Sequence, residues 1–194
     1  MQAPKLIILG RDGILNRFRE DHVKDPSEFE PLPGALEAVA RLNHAGWHVV
    51  VATNQAGIGR GLLDMASVNA VHQRMIKLLA AQGGRLDAVF FCPHAPEEQC
   101  DCRKPLPGMM RDIALRYGAD LKTVPMVGDT LRDLEAARAA GCPPHLVRTG
   151  RASLVTEAEI AQWVAAVPGT RVHDDLAALA RHLVPDDRSS PAGA

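Results

Sequence analysis

Short apolar runs alternate along the chain with segments in which apolar residues recur every three or four positions. A short apolar run bounded by glycine, proline or charge predicts a buried strand, and the second pattern predicts an amphipathic helix. The runs predict strands at residues 5–9, 47–52, 86–91, 124–127, 145–148 and 171–173. The periodic segments predict helices at residues 33–43, 62–81, 109–117, 131–140, 157–166 and 176–183.

Strands that alternate with helices predict an α/β fold with a Rossmann-like, doubly wound parallel sheet. Right-handed crossovers between parallel strands place helices on both faces of such a sheet. Ligands bind beyond the carboxyl ends of the strands, and the polar residues 16–33 are predicted to form a loop at that edge. We expect residues 1–184 to form one domain and residues 185–194 to form a disordered tail.

Composition excludes several kinds of partner. The 194 residues are 46% apolar and 23% charged with a net charge of -1, which lacks the basic excess of a nucleic-acid-binding surface. No apolar run approaches the ~20 residues that span a bilayer, and the N-terminus lacks the apolar core of a signal peptide. We therefore expect a cytoplasmic protein, a monomer, that binds a small solute rather than nucleic acid or a membrane.

A cluster of soft metal ligands lies in the middle of the chain, as Cys92-Pro-His94 and Cys100-Asp-Cys102. Three thiolates and one imidazole match the tetrahedral ligand set of a structural Zn²⁺ site, although these spacings are tighter than those of common zinc fingers. The alternative is a reduced cysteine cluster beside a surface histidine. The isolated Cys142 is expected to be a small buried apolar residue.

Four polar motifs occur at the ends of predicted strands. They are Gly10-Arg-Asp12-Gly13, Thr53-Asn54-Gln55, Cys102-Arg103-Lys104-Pro105 and Val127-Gly-Asp129-Thr-Leu-Arg-Asp133. Each motif alone has a simpler explanation, since Asp129 and Thr130 could cap a helix with Asp133 in its first turn. Thr53 could likewise be an ordinary strand residue, and Arg103-Lys104 a solvated pair. The order of the four motifs resembles that of the haloacid dehalogenase superfamily of phosphotransferases, which use an aspartate nucleophile.

The resemblance implies a role for each motif. Asp12 matches the general acid/base, whose backbone carbonyl also contacts Mg²⁺. Thr53 and Lys104 would bind the phosphoryl group that is transferred. Asp129 would be the magnesium carboxylate, and Asp133 would support the site from one helical turn further on.

Gly10 occupies the position at which the superfamily carries its nucleophilic aspartate. Its loss removes an attacking oxygen and a magnesium ligand together, and we expect turnover to fall on the order of 10⁶-fold. Slow attack by water, with Asp12 as the base, would remain. A natural pseudoenzyme, a deliberate substitution and an accidental change all fit the sequence, and the otherwise complete set of motifs favours a recent or engineered change.

The cysteine cluster directly before Arg-Lys-Pro narrows the resemblance to the branch that contains heptose bisphosphate and histidinol-phosphate phosphatases. The motifs leave no room for a cap domain, so short loops at residues 17–22 and 57–61 and the zinc loop should form the substrate wall. The predicted substrate-binding residues are Asn54, Gln55, Arg60, Arg103 and Lys104, with the two arginines contacting a second anionic group or sugar hydroxyls. Residues 54–61 are more similar to the heptose phosphatases, which makes a magnesium-dependent heptose bisphosphate phosphatase the first hypothesis. The alternatives are a histidinol-phosphate phosphatase and a non-catalytic phosphosugar-binding pseudoenzyme.

Overall fold

A computed structural model describes residues 4–185 and is built on a six-stranded parallel sheet in the order β3-β2-β1-β4-β5-β6. The strands are Leu6–Leu9 (β1), His48–Asn54 (β2), Ala88–Cys92 (β3), Met126–Gly128 (β4), Pro144–Val147 (β5) and Arg171–His173 (β6). The helices are Ala35–His44 (α1), Ala56–Gly59 (α2), Met65–Ala81 (α3), Gly108–Tyr117 (α4), Leu131–Ala140 (α5), Glu157–Ala166 (α6) and Leu176–Leu183 (α7). Short 3₁₀ helices lie at Pro26–Glu28, Leu121–Thr123 and Gly150–Leu154. Residues 186–194 of the predicted tail lie outside the described part of the chain.

Both faces of the sheet are buried, as the continuous apolar strands predict. Ile7 and Leu9 of β1 pack in a core with α1, α3 and α7, whereas Leu6 and Ile8 pack in a second core with α4 and α5. Successive side chains of a strand point to opposite faces, so a strand buried on both sides is apolar throughout. Cys142 is buried in the second core, as predicted, and burial raises the pKa of its thiol to about 12. The prediction of a doubly wound parallel sheet is confirmed.

Several predicted boundaries differ from the structure by one to three residues, and two of the differences have a local cause. The third helix begins at Met65 rather than at residue 62, because Asp64 caps it and accepts a hydrogen bond of 2.7 Å from the Ser67 backbone N–H. Strand β2 continues to Asn54 because its last residues pair with β3. The predicted loop at residues 57–61 also contains most of the short helix α2.

Strand β1 lies at the point where the chain reverses its direction of winding. It pairs with β2 on one side and β4 on the other, and the sheet grows outward from this pair in both directions. The loops that follow β1, β2 and β4 therefore meet at one edge of the sheet, where doubly wound folds bind ligands. Within residues 4–185, no helix combines the length and the apolar character needed to cross a membrane.

Three histidines meet between β5, β6 and α7. His145 is buried, its Nδ1 lies 3.0 Å from Nε2 of His173, and the two rings are stacked with centroids 5.2 Å apart. His182 of α7 lies beside both rings. Burial, with the nearby His173 and Arg171, lowers the pKa of His145 to about 4.

The lowered pKa of His145 predicts that stability falls with acidity below pH 6.5. The unfolded chain binds a proton near pH 6.5 and the folded chain only near pH 4, so the free energy of unfolding should decrease as the pH falls through that window. The total contribution is about 3 kcal/mol for a shift of this size.

His145→Gln should flatten the slope of unfolding free energy against pH between 6.5 and 4, measured by urea denaturation. His44→Gln is the control, because His44 is exposed on α1; equal slopes for His145→Gln and the unmodified chain would contradict the prediction.

Candidate active site and metal-binding cluster

A cavity of about 40 Å³, which we call the first cavity, lies where the ends of β1, β2 and β4 meet. Its lining residues are Gly10, Arg11, Asp12, Thr53, Asn54, Lys104, Asp129, Arg132, Asp133 and Arg151. Seven predicted site residues are therefore brought together in one place, from positions more than a hundred residues apart in the chain. Gln55 lies behind the wall of this cavity, and Arg60 and Arg103 line a neighbouring one.

Gly10 follows β1 and is held in place by a hydrogen bond of 3.0 Å from its backbone N–H to the Val127 carbonyl. A Cβ atom at this position would lie 3.1 Å from Ile14 Cγ1 and 3.7 Å from the Val127 oxygen. The backbone is not in the left-handed region that favours glycine. An aspartate therefore fits at position 10 after a shift of a few tenths of an ångström by the Ile14 side chain.

Arg11, which lies between the two motif positions, is almost completely buried beneath the site. Its guanidinium donates to both carboxylate oxygens of Asp12, at 2.9 and 3.1 Å, and lies 3.2 Å from His72 Nε2. Burial alone would raise the pKa of Asp12, but Arg11 and a hydrogen bond from Asn16 outweigh it and hold that pKa below its ordinary value. Burial and Arg11 lower the pKa of His72 to about 4, so His72 is neutral and can accept from Arg11.

The end of β2 supplies three polar residues with different surroundings. Thr53 is buried, and its hydroxyl lies 3.0 Å from the side-chain amide of Gln55. With its amide oxygen turned inward, Gln55 accepts from the Thr53 hydroxyl and from the Arg11 guanidinium. Asn54 exchanges two hydrogen bonds of 3.1 Å with the backbone of Lys104. The Asn54 side chain thus fixes the loop that carries Lys104 against the end of β2.

A buried ion pair joins that loop to helix α5. The Lys104 ammonium lies 2.6 Å from Asp133 Oδ1 and donates a hydrogen bond of 3.0 Å to the Ala52 carbonyl. The other Asp133 oxygen accepts from the backbone and hydroxyl of Thr130, the residue that caps α5. Burial would raise the pKa of Asp133, but Lys104 and these donors outweigh it and lower the pKa. Asp133 therefore takes part in the cap of α5, as the helix-capping explanation predicts, and it also pairs with Lys104 in the wall of the first cavity.

Asp129 lies between two glycines that approach it closely. A Cβ atom on Gly13 or Gly150 would overlap the Asp129 carboxylate, and both glycines have positive φ, at +79° and +57°. The backbone N–H of Arg151 donates 2.7 Å to Asp129 Oδ2. Burial and the nearby Asp133 raise the pKa of Asp129 to about 7.

The environment of Asp129 fits a divalent cation. A buried carboxylate that resists ionisation is stabilised in its charged form by a metal ion. Mg²⁺ takes few protein carboxylates and fills its remaining positions with water and phosphate oxygens. The first cavity has Asp129 and the turn at Asp12 in its wall, with space beside them for water and phosphate oxygens.

A second cavity of about 250 Å³ adjoins the first and shares Asp12, Asn54, Arg132 and Arg151 with it. Its other lining residues are Phe18, Arg19, Glu20, His22, Ala56, Arg60, Pro96 and Arg103. The Arg151 guanidinium stacks on the Phe18 ring at 3.9 Å from the ring centroid. Burial and the nearby Arg132 lower the pKa of Arg103, as expected where cationic groups are crowded. Such a wall suits a strongly anionic group.

The sequence did not single out several of these residues. The buried Arg11 appears in the chain as one charge within a polar turn, and its partner His72 comes 61 positions later. Arg151 could have been found, because it follows the predicted strand at 145–148 and every strand end at this edge is a candidate. Phe18 lies in the loop at residues 17–22 that was predicted to form the substrate wall, and Arg132 lies within the fourth motif, but neither residue was singled out.

The predicted metal ligands form a compact cluster. The ligand atoms of Cys92, His94, Cys100 and Cys102 all lie within 4.8 Å of one another. The Cys92 and Cys100 sulfurs are 3.8 Å apart, and Cys92 Sγ is 3.5 Å from His94 Nδ1. Two sulfurs bound tetrahedrally to one zinc ion at about 2.3 Å would lie about 3.8 Å apart. Burial and the neighbouring thiols raise the pKa of Cys102 to about 12, so a cation must displace its proton.

The loop that carries this cluster supports both cavities. Its Pro93 carbonyl accepts from the Gly59 backbone N–H at 2.8 Å, and a Cβ atom on Gly59 would overlap Glu98 in the loop. At its end, Arg103 donates to the His94 carbonyl at 3.3 Å. A hydrogen bond therefore links the loop of the cysteine cluster to α2, and Arg103 and Lys104 directly follow Cys102, the last residue of the cluster.

Comparisons with known proteins agree with this geometry. The family profile described as HAD-hydrolase-like matches residues 101–179, and the one described as polynucleotide kinase 3 phosphatase matches residues 13–139. The D-glycero-beta-D-manno-heptose-1,7-bisphosphate 7-phosphatase of Bordetella bronchiseptica is 55% identical over 93% of this chain and 98% of its own length. The protein of the same name from Pseudomonas aeruginosa is 47% identical over 92% of this chain and 97% of its own length.

A solved structure is similar over almost the whole fold. The D,D-heptose 1,7-bisphosphate phosphatase of B. bronchiseptica, complexed with magnesium and phosphate, has a TM-score of 0.86 and covers 92% of this chain and 97% of its own. Fold, site and matches together define a phosphatase of the haloacid dehalogenase-like class. Identity of this degree over nearly the full length of both chains narrows the class further. The chain belongs to the D-glycero-beta-D-manno-heptose-1,7-bisphosphate 7-phosphatase family.

The buried ion pair generates a stability prediction. Asp133→Asn leaves the Lys104 ammonium buried without its partner, and the free energy of unfolding should fall by about 3–5 kcal/mol. The matched control is Glu159→Gln, which changes the same capping position in the exposed box of α6 and leaves no buried charge. Urea denaturation at pH 7 measures both variants. Equal losses in the two variants would mean that the cap, and not the ion pair, carries the effect.

Proposed function

We propose that the chain has the site of a magnesium-dependent phosphatase for the 7-phosphate of D-glycero-D-manno-heptose 1,7-bisphosphate, with turnover severely impaired by Gly10. The strongest support is the first cavity, in which Asp12, Thr53, Lys104 and Asp129 converge at the switch point of the sheet. The names of the relatives supply the substrate and the position of the phosphate.

The roles follow from the surroundings of each residue. Asp12 is the general acid/base, and Arg11 holds its carboxylate in one orientation. Thr53 and Lys104 bind the phosphoryl oxygens through a hydroxyl and an ammonium group. Asp129 and the Asp12 carbonyl hold Mg²⁺, which neutralises charge on the phosphoryl group when bound. Asp133 supports the site by pairing with Lys104.

The second cavity favours a bisphosphate as the substrate. Arg60, Arg103 and Arg151 face the space beyond the reacting phosphoryl group, and a second phosphate at the other end of a sugar would be attracted there. Histidinol phosphate carries an ammonium group at its other end, which the same arginines would repel. The heptose substrate is therefore preferred over the alternative from the same branch. Asn54 and Gln55 act on the substrate indirectly. Asn54 fixes Lys104 through hydrogen bonds to its backbone, and Gln55 fixes the Thr53 hydroxyl.

Gly10 removes the attacking group but leaves the binding groups in place. The reaction is left with water as the nucleophile, and the loss of a covalent nucleophile costs on the order of 10⁶ in rate. Substrate affinity persists, because the positive groups of both cavities remain and one negative charge is gone. The protein would then act as a phosphosugar-binding protein unless the side chain is restored.

Restoring the side chain tests the function. Gly10→Asp should raise phosphate release from heptose 1,7-bisphosphate in the presence of Mg²⁺ by several orders of magnitude, since the Cβ atom fits at this position. Histidinol phosphate should be a poor substrate of the same variant. The control is a chain with both Gly10→Asp and Asp12→Asn, which keeps the nucleophile and loses the acid/base.

Two outcomes contradict the proposal. Equal activity of the unmodified chain and Gly10→Asp would disprove the role of position 10. A Gly10→Asp variant that binds heptose bisphosphate and hydrolyses no phosphate ester would establish the pseudoenzyme alternative.

We also propose that the cysteine cluster binds one structural Zn²⁺ and thereby positions Lys104 and Arg103. Four protein ligands fill a tetrahedral shell, which leaves no position for a substrate. Thiolate ligation suits a reducing compartment and supports the cytoplasmic assignment. A monomer formed by residues 1–184 as one domain completes the proposal.

The zinc proposal predicts one zinc ion per chain by elemental analysis. Cys100→Ser should lower the zinc content and the melting temperature, and in the Gly10→Asp background it should reduce kcat because Lys104 is less well fixed. Cys142→Ser is the control, because Cys142 lies in the core away from the cluster and should leave the zinc content unchanged. Full zinc content in Cys100→Ser would contradict the assignment of that ligand.

A further inference from the structure

Gly10 leaves open the place of a whole acidic side chain in the wall of the first cavity. Among the described residues outside its immediate neighbours, only Ile14 Cγ1 and the Val127 oxygen lie within 4 Å of a Cβ atom built on Gly10. Gly10 itself lines the cavity. The cavity volume of about 40 Å³ corresponds to about three water-sized positions.

The charges around this space favour an anion. Four cationic side chains and three carboxylates line the first cavity. Arg11 is paired with Asp12 and Lys104 with Asp133, so the two remaining cations, Arg132 and Arg151, exceed the one remaining carboxylate, Asp129. An aspartate at position 10 would have balanced this excess.

We propose that the Gly10 site binds a free carboxylate of one or two carbons, formate or acetate, in the place of the missing side chain. The inference rests on the proposed function and extends it to a second ligand. Formate corresponds to the carboxyl group alone and avoids the contact of 3.1 Å with Ile14 that the acetate methyl group meets. Propionate requires a further carbon in the same narrow space. Binding should therefore weaken from formate to acetate to propionate.

The bound carboxylate also supplies the missing nucleophile. A carboxylate oxygen attacks phosphorus, the bond from phosphorus to the sugar oxygen breaks, and that oxygen takes a proton that Asp12 relays from solvent water. The product is a free acyl phosphate, formyl or acetyl phosphate. Water then attacks its phosphorus, Asp12 accepts a proton of that water, and formate or acetate is released with inorganic phosphate. The net reaction is hydrolysis of the ester, and the carboxylate is regenerated.

Binding is measured first, since it does not depend on turnover. Sodium formate is titrated into the unmodified chain with Mg²⁺ and inorganic phosphate present, by calorimetry and by the line width of ¹³C-formate, against sodium chloride of equal ionic strength. We expect saturable binding to the unmodified chain and at least a tenfold loss in Gly10→Asp, which fills the site with its own carboxylate. Equal binding by the two proteins, or equal binding of formate and propionate, would overturn the proposal.

Turnover is measured second, with heptose 1,7-bisphosphate and the unmodified chain. Formate should raise phosphate release at least about tenfold and saturably, and hydroxylamine should trap formohydroxamate. Formate should not accelerate Gly10→Asp. If Gly10→Asp is active while formate neither binds nor accelerates the unmodified chain, the carboxylate site is wrong and the proposed function stands. If Gly10→Asp is inactive while formate binds only the unmodified chain, the site stands and the proposed function fails.

Discussion

The site depends most on the buried contact between Lys104 and Asp133. The two charges come from a loop after β3 and from the first turn of α5, and their side chains are only 7% and 8% exposed. Because a buried charge without a partner is costly, the pair fixes the distance between the loop and the helix. The Asn54 amide ties the same loop to β2, and the Thr130 cap orients Asp133. The Lys104 ammonium is thus held from three directions.

The sequence predicted the fold well because two independent signals agree. Apolar strands buried on both faces and helices with a clear period both require a parallel sheet, and all six strands were found within a few residues. The errors lie where a cap or strand pairing sets the boundary, as at Asp64 and Asn54. The pattern of apolar and polar positions along the chain does not show that these residues lie close together.

The residues of the candidate site that directly follow a strand could be predicted from the sequence, whereas a buried charged residue could not. The convergence of Asp12, Thr53, Lys104 and Asp129 on one cavity could be predicted because their motifs follow strand ends in a fixed order along the chain. Arg11 could not, because burial of a guanidinium becomes visible only when His72 on α3 is placed beside it. Arg11 lowers the pKa of Asp12 and orients its carboxylate. The residues around Arg11 in the sequence do not indicate this effect.

The contact of Gly13 and Gly150 on either side of Asp129 has a consequence for how the protein forms. Thr149 donates a hydrogen bond of 2.6 Å to the Gly13 carbonyl, which joins the first and fifth strand ends across 136 positions of the chain. During synthesis from the N-terminus, β1 to β4 are complete well before residue 150 leaves the ribosome. A nascent chain of that length has most of its sheet but lacks the backbone that encloses the Asp129 carboxylate. The geometry around Asp129 is therefore acquired late, and a growing chain lacks this part of the candidate site until most of the protein has been made.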